Sequence, residues 1–358
     1  MNQGIAKGKK RSVYMDYLRI IAVFFVIVNH TNSQVYQGTS PDHLTWYLSM
    51  LWYYLSKTAV PIFVMVSGAC LLPKVDSYRK IGKRVWRMVA ALVLFSYIYF
   101  LNDAQIYYGI WPRAVNVSAF FSLIWTQQIT DSYWYLYFYI GILVMLPLMQ
   151  RLAQNMKKQD MLYLIGLSFG LYAIWPLITH YAPAMAMPSF FDVPMFSIYI
   201  GIFFAGHYVH QYLKVNKKHA MIALVILIAT LLASLGLTHI EFGRVGAGEK
   251  YWFMDDRMHP SILTILSALS IMVLAKTATP DNTPERAQRR IVEIGSCTFC
   301  MYLLQDLIID RTKGNILPML SSKMSIFPAV IIWEIVIFIA ALAASWILRR
   351  IPFLKKII

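Results

Sequence analysis

Charge is what this sequence has least of. Only 14% of its 358 residues are charged, against roughly 25% in ordinary soluble domains, which excludes a water-soluble globule of the usual kind. Acids are scarcer still, with 17 Asp and Glu against 33 Lys and Arg. Cysteine is nearly missing. Cys70, Cys297 and Cys300 all lie in or beside apolar stretches, so a disulfide framework and a four-ligand zinc site are excluded and the three are small packing residues. No metal site is expected. No small-residue cleavage site follows the first apolar run, so no cleavable leader is expected and that run stays in the protein. No internal repeat emerges either, which counts against transporters built from repeated halves.

What is abundant is apolar. Hydrophobic residues make up 58% of the chain and aromatics 15%, and long apolar runs recur at 17–36, 44–72, 86–100, 133–149, 161–180, 190–209, 221–237, 260–274, 297–309 and 326–348. Several reach the roughly 20 residues a helix needs to cross about 30 Å of hydrocarbon. The expectation is an all-α integral membrane protein of about ten transmembrane helices, forming one domain over residues 1–358.

The net charge of +16 would suggest nucleic acid in a soluble protein, but its distribution says otherwise. With the N-terminus inside, the inner segments within 7–11, 74–87, 151–158, 214–218, 276–290 and 349–356 carry 24 Lys and Arg, and the outer loops carry 7. That asymmetry is the positive-inside rule, and it places both termini in the cytoplasm. The excess is topological, so no nucleic-acid partner is implied. Two outer segments are long, Leu101 to Ser132 with an aromatic run at Phe120 to Trp125, and Thr238 to His259. The second gathers Glu241, Arg244, Glu249, Lys250, Asp255, Asp256, Arg257 and His259, and reads equally as a solvated loop or a polar substrate-facing lid.

The first run carries ionisable groups in an expensive place. In MDYLRIIAVFFVIVNH, Asp16 precedes Arg19 by three residues and His30 follows Arg19 by eleven. At about 100° per residue, Arg19 and His30 differ by about 20° and Asp16 and His30 by about 40°, so all three share one stripe. Each alone has an ordinary explanation: Arg19 snorkels to the interface with Asp16 as its partner, and His30 bonds to polar neighbours near the outer end. Aligned, and separated by an apolar stretch, they point to a bundle interior or cavity. The rise places His30 about 16 Å from Arg19.

An imidazole can take a proton from an attacking hydroxyl and return it to a leaving group. An arginine can hold a phosphate or carboxylate with two parallel hydrogen bonds, and Asp16 can orient it. Arg79, Lys80, Lys83, Arg84 and Arg87 stand at the inner mouth, where an anionic cytoplasmic donor would arrive, although the positive-inside rule alone also accounts for them.

These residues resemble the membrane acyltransferase family 3, which includes bacterial O-acetyltransferases of cell-surface polysaccharides. The likeness rests on Asp16, Arg19 and His30 in the first span, then on VPIFVMVSGACLL from Val60 to Leu72, SYWYLYFYIGILVMLPL from Ser132 to Leu148, and IGIFFAGHYV from Ile200 to Val209. It covers nearly the whole chain in order. The resemblance implies transfer of an acyl group, usually acetyl from acetyl-CoA, onto a hydroxyl of an extracytoplasmic or lipid-linked glycan by an enzyme of the cell (inner) membrane. It assigns His30 to catalysis with Arg19 and Asp16, and Arg19, Ser67, Gly68, Arg84 and Arg87 to the donor. Trp46, Trp125, Trp134 and Trp252 are candidates to stack on a sugar, although an interfacial aromatic belt accounts for most of them. No permanently bound cofactor is implied, and membrane lipids are the surrounding partner.

One departure stands out. IGSCTFCMYLLQD, from Ile294 to Asp306, resembles a segment that commonly reads Tyr-Leu-x-His, yet Gln305 follows Leu304 here. Glutamine hydrogen-bonds but does not titrate near neutrality, which leaves His30 as the base. The family's optional extracytoplasmic catalytic domain is not expected after the tenth span. A transporter or flippase for a lipid-linked glycan, with the stripe lining its pathway, would also place charge inside the membrane.

Overall fold

A computed structural model describes residues 12–108, 117–186, 197–245, 260–279 and 284–358. All regular structure among them is helical, as hydrocarbon requires of a chain that must satisfy its own backbone. The helices are α1 (Val13–Thr31), α2 (Ser33–Tyr36), α3 (Leu44–Ser56), α4 (Ala59–Leu71), α5 (Tyr78–Tyr108), α6 (Val117–Thr126), α7 (Trp134–Asn155), α8 (Lys158–Phe169), α9 (Trp175–Tyr181), α10 (Ile198–Gln211), α11 (Lys217–Val245), α12 (Ile262–Ala278), α13 (Glu285–Lys313), α14 (Ile316–Ser321) and α15 (Ile326–Leu348).

Eight helical stretches are long and apolar enough to cross a membrane: Val13–Tyr36, Leu44–Leu71, Tyr78–Asp103, Asp131–Asn155, Lys158–Tyr181, Lys217–Arg244, Glu285–Lys313 and Ile326–Leu348. The protein is thus a multi-pass membrane protein. The runs expected at 190–209 and 260–274 correspond to α10 and α12, of 14 and 17 residues, with residues 190–196 outside the described set. The expected outer segment from Thr238 needs correction, because α11 continues to Val245 and carries Glu241 and Arg244 within it. Glu249, Lys250, Asp255, Asp256, Arg257 and His259 lie outside the described residues.

The second run is broken in the middle. Pro61 has no N–H to offer the Lys57 carbonyl, and the Lys57 and Thr58 amides bond back to Tyr53 and Leu55 at 3.0 and 3.2 Å. The break leaves Lys57 between α3 and α4. A further irregularity, one π turn at Gly170–Ile174, joins α8 to α9 ahead of Pro176.

Long-range contacts fix which helix ends lie together. The start of α1 meets α13, where Asp16 lies against Gly295, and the end of α10, where the Tyr14 hydroxyl is 2.7 Å from His210 Nδ1. Arg349, after α15, bonds to Ser296 of α13, and Arg87 of α5 donates to the Ile357 carbonyl at 2.9 Å. Lys276 caps α10, donating to the carbonyls of Val209 and Leu213 at 2.8 Å and His210 at 3.0 Å, a cation where a helix presents its negative end. This is the basic end of the bundle. The opposite, far end holds the end of α1 and the starts of α7, α12 and α15.

Glycine permits the closest crossing. A Cβ on Gly68 of α4 would stand 1.8 Å from the Phe203 carbonyl oxygen, and one on Gly206 of α10 would stand 2.1 Å from that of Met65. The two backbones touch there.

Candidate active site

The two ends of α1 face different surroundings. At the basic end Asp16 is fully buried, and Arg19 Nη1 donates to its Oδ1 at 2.8 Å, as the three-residue spacing on one helix face allows. Gly295 makes room for that carboxylate, since a Cβ there would lie 2.7 Å from the Asp16 Cβ. The Arg19 side chain keeps 28% of its exposure. Its Nη2 reaches Cys70 Sγ at 3.4 Å, so Cys70, expected only to pack, also touches this guanidinium.

Tyr139 of α7 joins the other predicted donor residues. Its hydroxyl bonds to Ser67 and lies within electrostatic reach of Arg19, Arg84 and Cys70, and Arg87 lies within reach of Tyr139 and Arg349. Tyr139 is thus a shared neighbour of Arg19, Ser67, Arg84 and Arg87. Gly68 does not join them, because its open side is filled by the Phe203 backbone.

Arg84 and Arg87 of α5 already have partners. Arg84 pairs with Asp76, which also takes Lys80 Nζ at 2.6 Å and Gln150 Nε2 at 3.2 Å. Burial pushes the Asp76 carboxyl up, but the hydrogen bonds from Lys80, Gln150 and Arg84 and the Arg84 charge outweigh it and hold the carboxyl at about 2. Arg87 donates Nε to the Ile357 carbonyl and lies 6.0 Å from the Phe299 ring. A donor meeting these two arginines must share them or displace a partner.

At the far end Asn29 and His30 line a cavity of about 570 Å³. Its aromatic walls are Trp134, Tyr135, Tyr199 and Tyr302, and its polar groups include Lys57, Gln128, Asp131 and Ser132. Asn29 Oδ1 is buried without a hydrogen-bond partner among the described residues, which leaves an acceptor in the cavity wall. Of the tryptophans considered for sugar stacking, Trp134 lines this cavity, Trp46 is fully buried and Trp125 is 90% exposed on α6. Trp252 lies outside the described residues.

A buried carboxylate organises one wall. Asp306 accepts hydrogen bonds from Thr130 Oγ1 at 2.9 Å, from Ser132 Oγ and from Gln305 Nε2 at 2.8 Å, while the Tyr302 hydroxyl donates to the Ser132 carbonyl. Gln305 is fully buried and braces Asp306 without lining the cavity.

A second carboxylate supports α1 from behind. Glu334 of α15, fully buried, accepts from Thr31 Oγ1 and Trp52 Nε1, both at 2.9 Å. Trp52 in turn sets its edge against Phe24 and Phe25. The residue after His30 is thereby tied to two other helices. Sequence reading missed Glu334, Asp306 and Tyr139. Glu334 had a signal, a lone acid in the apolar run IIWEIVIFIAALAASWIL, which is costly unless it is paired.

One helix thus carries a paired guanidinium at the basic end and an imidazole at a roomy, aromatic-walled cavity at the far end. No curated protein and no solved structure matches the chain. A family model described as an acyltransferase domain matches residues 12–350, and with nearly its whole length covered the chain belongs to the acyltransferase 3 family.

Proposed function

We propose that this acyltransferase moves an acetyl group from cytoplasmic acetyl-CoA to a hydroxyl of an extracytoplasmic or lipid-linked glycan, across the cell (inner) membrane and through about ten spans. The observation that carries the reading is His30 at the far cavity on the same helix as Arg19 at the basic end. The uneven distribution of Lys and Arg supports a cytoplasmic basic end.

In this reading the donor's phosphates meet Arg19, Arg84 and Arg87 beside Ser67, with bidentate contacts to guanidinium groups as the main attraction. The donor's flexible arm then covers the about 16 Å of helical rise to His30. The acceptor's sugar ring stacks on the aromatic wall, and a sugar hydroxyl donates to Asn29 Oδ1. The acceptor oxygen attacks the thioester carbonyl carbon and the carbon–sulfur bond breaks. His30 takes the hydroxyl proton and passes it to the leaving thiolate. In the alternative route His30 first carries the acetyl group itself and the acceptor then attacks that intermediate. Asp16 orients Arg19, and Glu334 holds the helix beside His30 through Thr31.

The test is sidedness. Protein oriented in sealed vesicles receives labelled acetyl-CoA on one side and candidate glycans on the other. Label reaches glycan only when acetyl-CoA is supplied at the basic end. Equal transfer from either side, or glycan flux without consumption of any acyl-CoA, contradicts the proposal.

A further inference from the structure

A lateral groove between α13 and α15 has no part in the reading above. It holds about 310 Å³ and is lined by Ile294, Cys297, Ile339, Leu342 and Trp346 among others, with Glu293 at its rim. It opens outward from two helices long and apolar enough to cross a membrane, and Ile339 and Trp346 are 59% and 46% exposed. Apolar walls facing hydrocarbon suit an acyl chain.

The basic end of the groove is built for a charge. Arg350 stacks its guanidinium 3.4 Å from the centre of the Trp346 ring, which fixes a cation over a groove residue. Arg349 bonds to Ser296 Oγ and lies 3.4 Å from Cys297 Sγ, another groove residue. Its Nε is buried without a hydrogen-bond partner among the described residues, and Arg87 lies within electrostatic reach of it. Arg349 and Arg350, with Arg87 in reach, outnumber Glu293, so this end of the groove is net positive. A net positive rim suits an anionic headgroup, and interfacial Trp and Arg are the side chains that anchor to headgroups.

We propose that the α13–α15 groove is a binding site for one anionic phospholipid of the leaflet at the basic end. One acyl chain lies along Ile339, Leu342 and Ile294, and the phosphate rests on Arg349 and Arg350. The proposal stands independently of the acetyl-transfer reading.

Native mass spectrometry of the full, delipidated chain tests it, with phosphatidylglycerol or phosphatidylcholine of the same chains as titrant. Wild type is expected to take up one phosphatidylglycerol in preference to phosphatidylcholine. Arg350→Gln weakens phosphatidylglycerol binding about fivefold, the effect of one basic residue near a lipid surface, and weakens phosphatidylcholine, whose choline cancels the phosphate charge, by less. Ala343→Trp, at an exposed position within the groove, fills it and reduces binding of both lipids. Ile339→Trp fills it from the same helix one turn away and provides the same readout should the first variant melt early. Equal binding of the two lipids by wild type, or first-lipid binding untouched by either filling variant, overturns the proposal. A dimer converted to monomer by filling also overturns it, by assigning the groove to a second copy of the chain.

Discussion

Gly68 separates two accounts of the same motif. Its resemblance to a family Ser-Gly element points to the donor, whereas the fold places it at the α4–α10 crossing. In Gly68→Ala the new Cβ would stand 1.8 Å from the Phe203 carbonyl oxygen and 2.7 Å from its carbon. Non-bonded heavy atoms settle at about 3.5 Å, so the helices must part by more than an ångström against backbone that cannot rotate away. Overpacking costs about 1–3 kcal/mol, and this case belongs at the top of that range. For a chain of this size such a loss lowers the melting temperature by roughly 4 °C. The assay is thermal unfolding in detergent followed by tryptophan fluorescence. Gly206→Ala, facing Met65 across the same crossing, should behave alike, and Gly236→Ala, with nothing within 4 Å of its Cβ, should melt as wild type. If Gly68→Ala melts as wild type yet loses acetyl-CoA affinity, the packing argument is wrong and Gly68 contacts the donor.

Glu334→Ala strands the Trp52 indole N–H, while Thr31 turns to the Ile27 carbonyl at 2.9 Å; leaving a buried polar group unpaired costs about 1–3 kcal/mol, so both melting temperature and turnover should fall, and an unchanged melt would dismiss the anchoring role. Arg19→Lys keeps the charge but loses the forked donor set; the KM for acetyl-CoA should rise about tenfold, the scale of one charge-assisted hydrogen bond, and an unaltered KM would remove Arg19 from donor binding. Asp76 titrates at about 2 in the folded protein, below the roughly 3.9 of a free carboxyl. Its stabilising effect is therefore complete above about pH 4 and is lost as pH falls toward 2. The difference in melting temperature between wild type and Asp76→Asn should be the same at pH 7 and pH 5 and shrink below pH 4. A difference that disappears by pH 5 would show that the Lys80–Asp76–Arg84 cluster does not hold.

Much of this was legible in the sequence because local spacing carries it. Eight apolar runs coincide with candidate spans, and the i, i+3 relation of Asp16 to Arg19 became an ion pair at 2.8 Å. The break at Lys57 was passed over in the run at 44–72, although Pro61, four residues later, lacks the donor that would bridge it. What stayed hidden depends on residues far apart in the chain. Glu334 meets Thr31 across a separation of 303 residues, and Asp306 collects Thr130 and Ser132 from beyond 170. No periodicity reports such pairings. The same limit explains Arg84 and Arg87: their positive charge was visible, but Asp76 and the Ile357 carbonyl as their partners were not.

The central claim is that His30 performs the transfer while the donor is held elsewhere. The direct measurement is acetyl-CoA binding and acetyl transfer by wild type and His30→Ala in the same lipid nanodiscs. The account predicts donor affinity within about twofold of wild type and transfer reduced about 10²–10⁴-fold, the usual contribution of a general acid–base. Transfer at the wild-type rate by His30→Ala, or loss of binding and transfer together, would contradict it.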